Sequence, residues 1–194
     1  MRHEIKKELS EKVGPDNATD SPEHIIAYSY DAYTEEHRPD IVLFPVSTEQ
    51  VSAVMKVAYR ENIPVTPRGA GTNLAGESIP VRGGIALCLT KMDRILSIDA
   101  TSLVATVQPG VINLDFQRQV EKQGMMYPPD PASWAVATMG GTVATNAGGP
   151  RTVKYGVTKD YLLGLTAVLA NGDVLKTGGR TLKNVTGYNL TTLL

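Results

Sequence analysis

The chain has 194 residues, 42% hydrophobic and 20% charged, with a formal net charge of −1, which leaves no concentrated basic face for general nucleic-acid capture. Met1-Arg2-His3-Glu4-Ile5-Lys6-Lys7 lacks the apolar core of a secretory signal, and no run approaches the ~18 apolar residues of a membrane span. The single cysteine, Cys88, excludes an internal disulfide and fits a reducing compartment, so the chain reads as cytoplasmic.

Residues 1–37 read as a peripheral N-terminal helical segment and 38–194 as the main domain. Ser21-Pro22-Glu23 is a helix start, a capping residue followed by proline at the first helical position, with the helix running to about Tyr30. Ile41-Val42-Leu43-Phe44 is a continuous apolar run, as in a buried strand. Ser47-Thr48-Glu49-Gln50 is a capping box, with Val46 and Val51 placed for the hydrophobic staple. The helix it opens, to about Glu61, has Val51, Val54, Met55 and Ala58 on one face. Ile63–Thr66 returns as a strand, and this strand–helix–strand unit predicts a parallel pair with a right-handed crossover.

Further strand-like segments follow at Gly84–Thr90, Ile95–Asp99 and Leu103–Gln108, then a helix over Asn113–Gln123 stopped by Gly124. Cys88 lies in the first of these and reads as a small buried hydrophobe. Asn171-Gly172, between Leu165–Ala170 and Asp173–Thr177, is a strong hairpin signal. A small parallel strand–helix–strand lobe followed by a mostly antiparallel sheet flanked by helices is an α+β arrangement in two lobes. Residues 187–194 read as the start of an amphipathic helix, so a longer protein with a further, substrate-binding domain is expected.

Glycine makes up 18 of the 194 residues and is clustered, which marks places where backbone takes unusual angles or is closely approached. The first cluster is Pro67-Arg68-Gly69-Ala70-Gly71-Thr72-Asn73-Leu74-Ala75-Gly76. A glycine-rich loop after a strand can present several N–H groups to one anion. Arg68 could add charge, and Thr72 and Asn73 could add donors. It is not a Walker loop, having no lysine, nor a Rossmann turn, because the sixth position is Leu74 and no helix follows. A tight connection without a ligand is the alternative.

The second cluster, Pro128–Pro150, mixes prolines, small residues and two Gly-Gly pairs, and suits backbone lying against a flat ring; Ser133, Thr138, Thr145 and Asn146 are the polar contacts expected there. A close packing site lined with small residues is the alternative. Tyr127 and Trp134 read as packing aromatics rather than stacking platforms.

Taken in register, these stretches resemble a known family. Arg38-Pro39-Asp40, Phe44-Pro45-Val46-Ser47-Thr48-Glu49, Pro64-Val65-Thr66-Pro67-Arg68-Gly69-Ala70-Gly71-Thr72, Met126–Pro131, Met139–Gly149, Lys154-Tyr155-Gly156 and Lys183–Tyr188 are similar to the FAD-binding domain of the vanillyl-alcohol oxidase and p-cresol methylhydroxylase family. Within that family the nearest likeness is to the glycolate oxidase FAD subunit and the FAD-linked D-lactate dehydrogenases. Asn189 departs from the aspartate that the family tends to carry.

The resemblance implies that 38–194 is an FAD-binding domain. Arg68, Gly69, Ala70, Gly71, Thr72, Asn73, Leu74 and Gly76 would wrap the diphosphate. Pro129, Asp130, Ser133 and Thr138 would line the ribityl chain and flavin, and Gly140, Gly141, Thr145, Asn146 and Gly148 would lie along the ring or the diphosphate. Ala70 and Thr72 stand where covalent members carry histidine, so the FAD would be non-covalent. The implied reaction is oxidation of a small-molecule 2-hydroxy acid such as glycolate or D-lactate by hydride transfer, the alternative being a non-catalytic flavin-binding subunit of a larger oxidase complex. Implied partners are an iron–sulfur or second flavin subunit, through which the chain could associate with a membrane.

No catalytic base is found. His3, His24 and His37 all precede the loops and read as surface residues, and no His, Cys, Asp and Glu set has metal-ligand spacing.

Overall fold

A computed structural model describes residues 1–194. The chain divides into two compact units, Met1–Met92 with Val168–Val174, and Asp93–Ala167 with Leu175–Leu194.

The first unit is built on a four-stranded sheet. Its elements in chain order are α1 (His3–Val13), β1 (Ala18–Thr19), α2 (Pro22–Ala27), β2 (Ile41–Leu43), α3 (Thr48–Arg60), β3 (Val65–Arg68) and β4 (Ile85–Cys88). The strand order is β1-β2-β4-β3; β1 is antiparallel to β2, and β4 is parallel to both β2 and β3. The strand–helix–strand unit is therefore not an adjacent pair, because β4 lies between its strands. Every residue of β2 and β4 is buried, whereas β3 is only partly so, and the two wholly apolar strands take the inner positions.

Both faces of this sheet are covered. Ile41, Leu43, Ile85 and Leu87 pack with Ile5, Leu9 and Val13 of α1 and Val54, Val57 and Ala58 of α3. Val42, Ala86 and Cys88 point the other way, toward Ile25, Tyr28 and Phe44. The helix α1 is thus part of the core and not peripheral: Ile5, Leu9 and Val13 recur every four residues and make one buried stripe.

Helix caps follow the sequence with two differences. Ser47 accepts the Gln50 N–H as expected, but the Gln50 side chain reaches the Val46 N–H at 2.8 Å, one residue outside the standard box. Ser21 does not cap α2 through its side chain; its hydroxyl pairs with His24 Nδ1 at 2.8 Å. That helix ends at Ala27, three residues before the expected Tyr30, which leaves 28–33 irregular.

The second unit contains β5 (Ile95–Asp99), β6 (Val104–Val107), α4 (Asn113–Glu121), α5 (Met139–Ala144), α6 (Thr152–Tyr155), β7 (Gly164–Val168), β8 (Val174–Gly178) and α7 (Leu190–Leu193). β5 and β6 are an antiparallel pair and β7 pairs with β8. Val111, Phe116, Val120 and Met139 form the core, with Ile95, Ile98, Ala105 and Val107 packed against it. Gly124 ends the α4 segment with φ 73°, as its sequence position predicts. Asn189 caps α7 by accepting the Thr192 N–H, a role that its amide performs as well as a carboxylate. Residues 168–174, the turn between β7 and β8, belong to the first unit, where Ser52 Oγ donates to the Gly172 carbonyl at 2.6 Å.

Candidate functional site

The first glycine loop leaves β3 at Arg68 and regains the sheet at β4. Its shape is set by residues on both sides. Gly71 and Gly76 have φ of 69° and 78°, a region that side chains disfavour. Arg68 is 8% exposed and does not extend over the loop: Nη1 donates to the Tyr30 carbonyl at 2.6 Å, and Cζ lies 5.2 Å from the centre of the Tyr28 ring. The guanidinium packs so closely against Gly71 that a Cβ there would overlap Nη2.

The far end of the loop is held by Asp31. This buried carboxylate accepts the Tyr33 N–H at 2.8 Å, the Ser78 N–H at 3.4 Å and the Ser78 hydroxyl at 3.2 Å. Because the Ser78 hydroxyl donates to Asp31, its oxygen is left to accept from Asn73 Nδ2 at 3.2 Å, and that fixes the orientation of the Asn73 amide. Residues 28–33 therefore fasten both ends of the loop. Nothing periodic in the sequence marks them. Asp31→Ala is expected to cost roughly 2–3 kcal/mol, since it leaves two N–H donors without an acceptor. Urea unfolding measures this, and a loss below about 0.5 kcal/mol, the range of a plain surface change, would count against the role.

None of the backbone N–H groups from Ala70 to Glu77 donates to another group of the chain. Ala70, Leu74, Ala75 and Glu77 are exposed and the residues between them half-buried, so this loop presents a run of backbone donors at the surface to whatever lies against it. Asn73 Oδ1 is buried and without a partner, an acceptor that faces no donor in the chain. Donors for anionic oxygens beside one acceptor for a hydroxyl fit a ligand that carries both a diphosphate and sugar or ribityl hydroxyls, as FAD does.

The second glycine stretch, in the second unit, is different: its polar groups are largely used internally. Thr138 is buried and caps α5, its hydroxyl accepting the Gly141 N–H at 3.3 Å. Thr145 Oγ1 donates to the Gly141 carbonyl at 3.0 Å, and Asn146 Oδ1 accepts the Lys159 N–H at 3.0 Å. Asp130 accepts the Arg151 N–H at 3.2 Å and lies 3.3 Å from its Nε. Pro129 is buried, its carbonyl accepting from Gln117 Nε2 at 2.8 Å.

Packing demands two of the glycines here. A Cβ on Gly140 would come 2.6 Å from Pro109 Cβ, and one on Gly149 would overlap the Asp130 carbonyl. Gly148 is less confined, with Thr152 Oγ1 at 3.0 Å from such a Cβ, and Ser133 is half-buried. The close-packing alternative thus accounts for Gly140 and Gly149. Tyr127 packs edge-on against Phe116 and Tyr161 at 5.0 and 5.8 Å, and burial pushes its hydroxyl up to about 12. Trp134 is 39% exposed.

The profile of a family described as FAD binding domain matches residues 39–178. The chain belongs to that family. It is 47% identical over 191 residues to the glycolate oxidase subunit GlcD of Bacillus subtilis (strain 168), covering 98% of this chain and 41% of that one. To a D-lactate dehydrogenase of Anaerostipes hadrus it is 46% identical over 157 residues, 81% of this chain and 33% of the relative. The chain therefore spans well under half the length of these relatives. Among solved structures it is similar to an alkyldihydroxyacetonephosphate synthase, with TM-score 0.87 and 25% identity over 100% of this chain and 37% of that one. It is also similar to p-cresol methylhydroxylase with substrate bound, with TM-score 0.78 and 27% identity over 98% and 37%. The likeness covers this FAD-binding domain and supports the α+β fold inferred above. No helix is long and apolar enough to cross a membrane.

Proposed function

We propose that this chain is the flavin-holding portion of an oxidoreductase that oxidises a 2-hydroxy acid such as glycolate or D-lactate. The observation that carries the cofactor part is the run of unpaired N–H groups from Ala70 to Glu77, with Arg68 beneath and Asn73 Oδ1 as an unfilled acceptor. These groups would hold the diphosphate, with Gly69, Ala70, Gly71, Thr72, Leu74 and Gly76 contributing backbone. Pro129, Asp130, Ser133, Thr138, Gly140, Gly141, Thr145, Asn146 and Gly148 would serve the ribityl and ring portion, those already bonded within the chain acting chiefly as its support. FAD supplies the chemistry when bound, accepting a hydride from the substrate's α-carbon.

The substrate class rests on the likeness to a glycolate oxidase subunit and a D-lactate dehydrogenase. The word subunit in the first of these names supports assembly with other chains, an iron–sulfur or second flavin subunit being the partner class proposed. The working location proposed is the cytoplasm, with any membrane association through such a partner.

The flavin would be held without a covalent bond, since the loop contains no histidine, cysteine or tyrosine to form one. The purified chain is expected to show the flavin absorption bands and to release the colour to the supernatant on acid precipitation. Colour retained in the pellet would contradict non-covalent binding. A colourless chain that takes up no added FAD would overturn the cradle reading.

A further inference from the structure

Arg68 is buried without a counter-charge. It is 8% exposed, yet none of the chain's ion pairs involves it. Its single hydrogen bond goes to the Tyr30 carbonyl, and its remaining stabilisation is the Tyr28 ring. The carboxylate of Asp31, one residue beyond Tyr30, is committed to the Tyr33 and Ser78 N–H groups and the Ser78 hydroxyl. A guanidinium largely withdrawn from water is costly unless a charge of opposite sign offsets it. This one packs against Gly71, under the stretch whose N–H groups have no acceptor.

We infer that Arg68 is an electrostatic counter-ion for an anionic ligand on the loop, acting from beneath the backbone and not by grasping the ligand. This rests on reading the loop as a diphosphate cradle. The backbone N–H groups supply the hydrogen bonds and the shape, while Arg68 supplies the net positive charge that a lysine-free loop otherwise lacks. Arginine suits the position because its planar group stacks on Tyr28 and stays charged when buried. The loop thereby favours diphosphate-bearing ligands over the same flavin without phosphate.

The test compares wild type, Arg68→Met and Arg68→Lys by titration with FAD and with riboflavin, which lacks the diphosphate, across a range of sodium chloride concentrations. A unit charge lost several ångströms from a diphosphate at an effective dielectric of about 20 predicts at least about tenfold weaker FAD binding by Arg68→Met. Its FAD affinity should also depend less on salt than the wild-type affinity does, and riboflavin affinity should be unchanged. Arg68→Lys keeps the charge and should keep the salt dependence even if the stack on Tyr28 is poorer.

Equal losses for FAD and riboflavin with an unchanged salt slope would make Arg68 a scaffold only and overturn the inference. So would wild-type behaviour in Arg68→Met. If Arg68→Met does not fold, Arg68→Lys decides: a lost salt dependence in that variant overturns the inference, and a retained one supports it. Failure of the wild type to bind FAD at any salt concentration would overturn the cradle reading and this inference together, whereas normal FAD uptake by wild type with an insensitive Arg68→Met overturns this inference alone.

Discussion

Gly84→Ala is expected to destabilise the first unit by more than about 4 kcal/mol, in the tail of single-substitution effects. Gly84 immediately precedes β4, an inner strand of the sheet, with φ 77°. Its carbonyl accepts the Asp40 N–H at 2.7 Å, and its own N–H donates to Asp40 Oδ2 at 2.8 Å. On its other side the Pro64 carbonyl accepts the Ile85 N–H at 2.9 Å. A Cβ at Gly84 would overlap that same Pro64 oxygen, so backbone on both sides has to move. The unfavourable φ accounts for about 1–2 kcal/mol, and separation of β3 from β4 accounts for the rest. Gly124→Ala is the control: φ is 73°, but nothing lies within 4 Å of the added carbon, so only the first cost applies. Urea or thermal unfolding of the two variants makes the comparison. Equal losses would mean that contact with Pro64 is unimportant.

That inner strand also marks where sequence reading falls short. Both Ile41–Leu43 and Ile85–Cys88 are continuous apolar runs, and both are buried strands. Their pairing was not legible, because an apolar run shows that a strand is covered on two faces and not which strands adjoin it. Charged neighbours mask the place of the N-terminal helix in the core, although Ile5, Leu9 and Val13 have the spacing of a buried stripe. The first glycine loop was legible as a candidate site because positive φ and side-chain-free backbone are written in glycine itself. Its fastening was not, since Tyr28, Tyr30, Asp31 and Tyr33 act through tertiary contacts that leave no local pattern. In the second stretch glycine also answers to packing: at Gly140 the small residue makes room for Pro109, a protein neighbour.

Gly71→Ala is expected to weaken flavin uptake at least about tenfold, equivalent to about 1.4 kcal/mol of binding, while costing far less stability than Gly84→Ala. The overlapping group is here the far end of the Arg68 side chain, which can move where backbone cannot. The stability cost is therefore chiefly that of φ 69° in a residue with a side chain, about 1–2 kcal/mol, much as for Gly124→Ala. The binding cost is of another kind. A methyl group at 71 drives the guanidinium off the Tyr30 carbonyl, and a backbone relaxing toward negative φ turns the neighbouring N–H groups from their common direction. A cradle of backbone donors gives affinity only while they converge, so a change mild in unfolding should be severe in binding. Measured together, FAD titration and unfolding separate the two effects: Gly71→Ala and Gly124→Ala should lose similar stability, and only the former should lose flavin. Wild-type flavin affinity in Gly71→Ala, or an equal loss in Gly124→Ala, would remove the loop from the site.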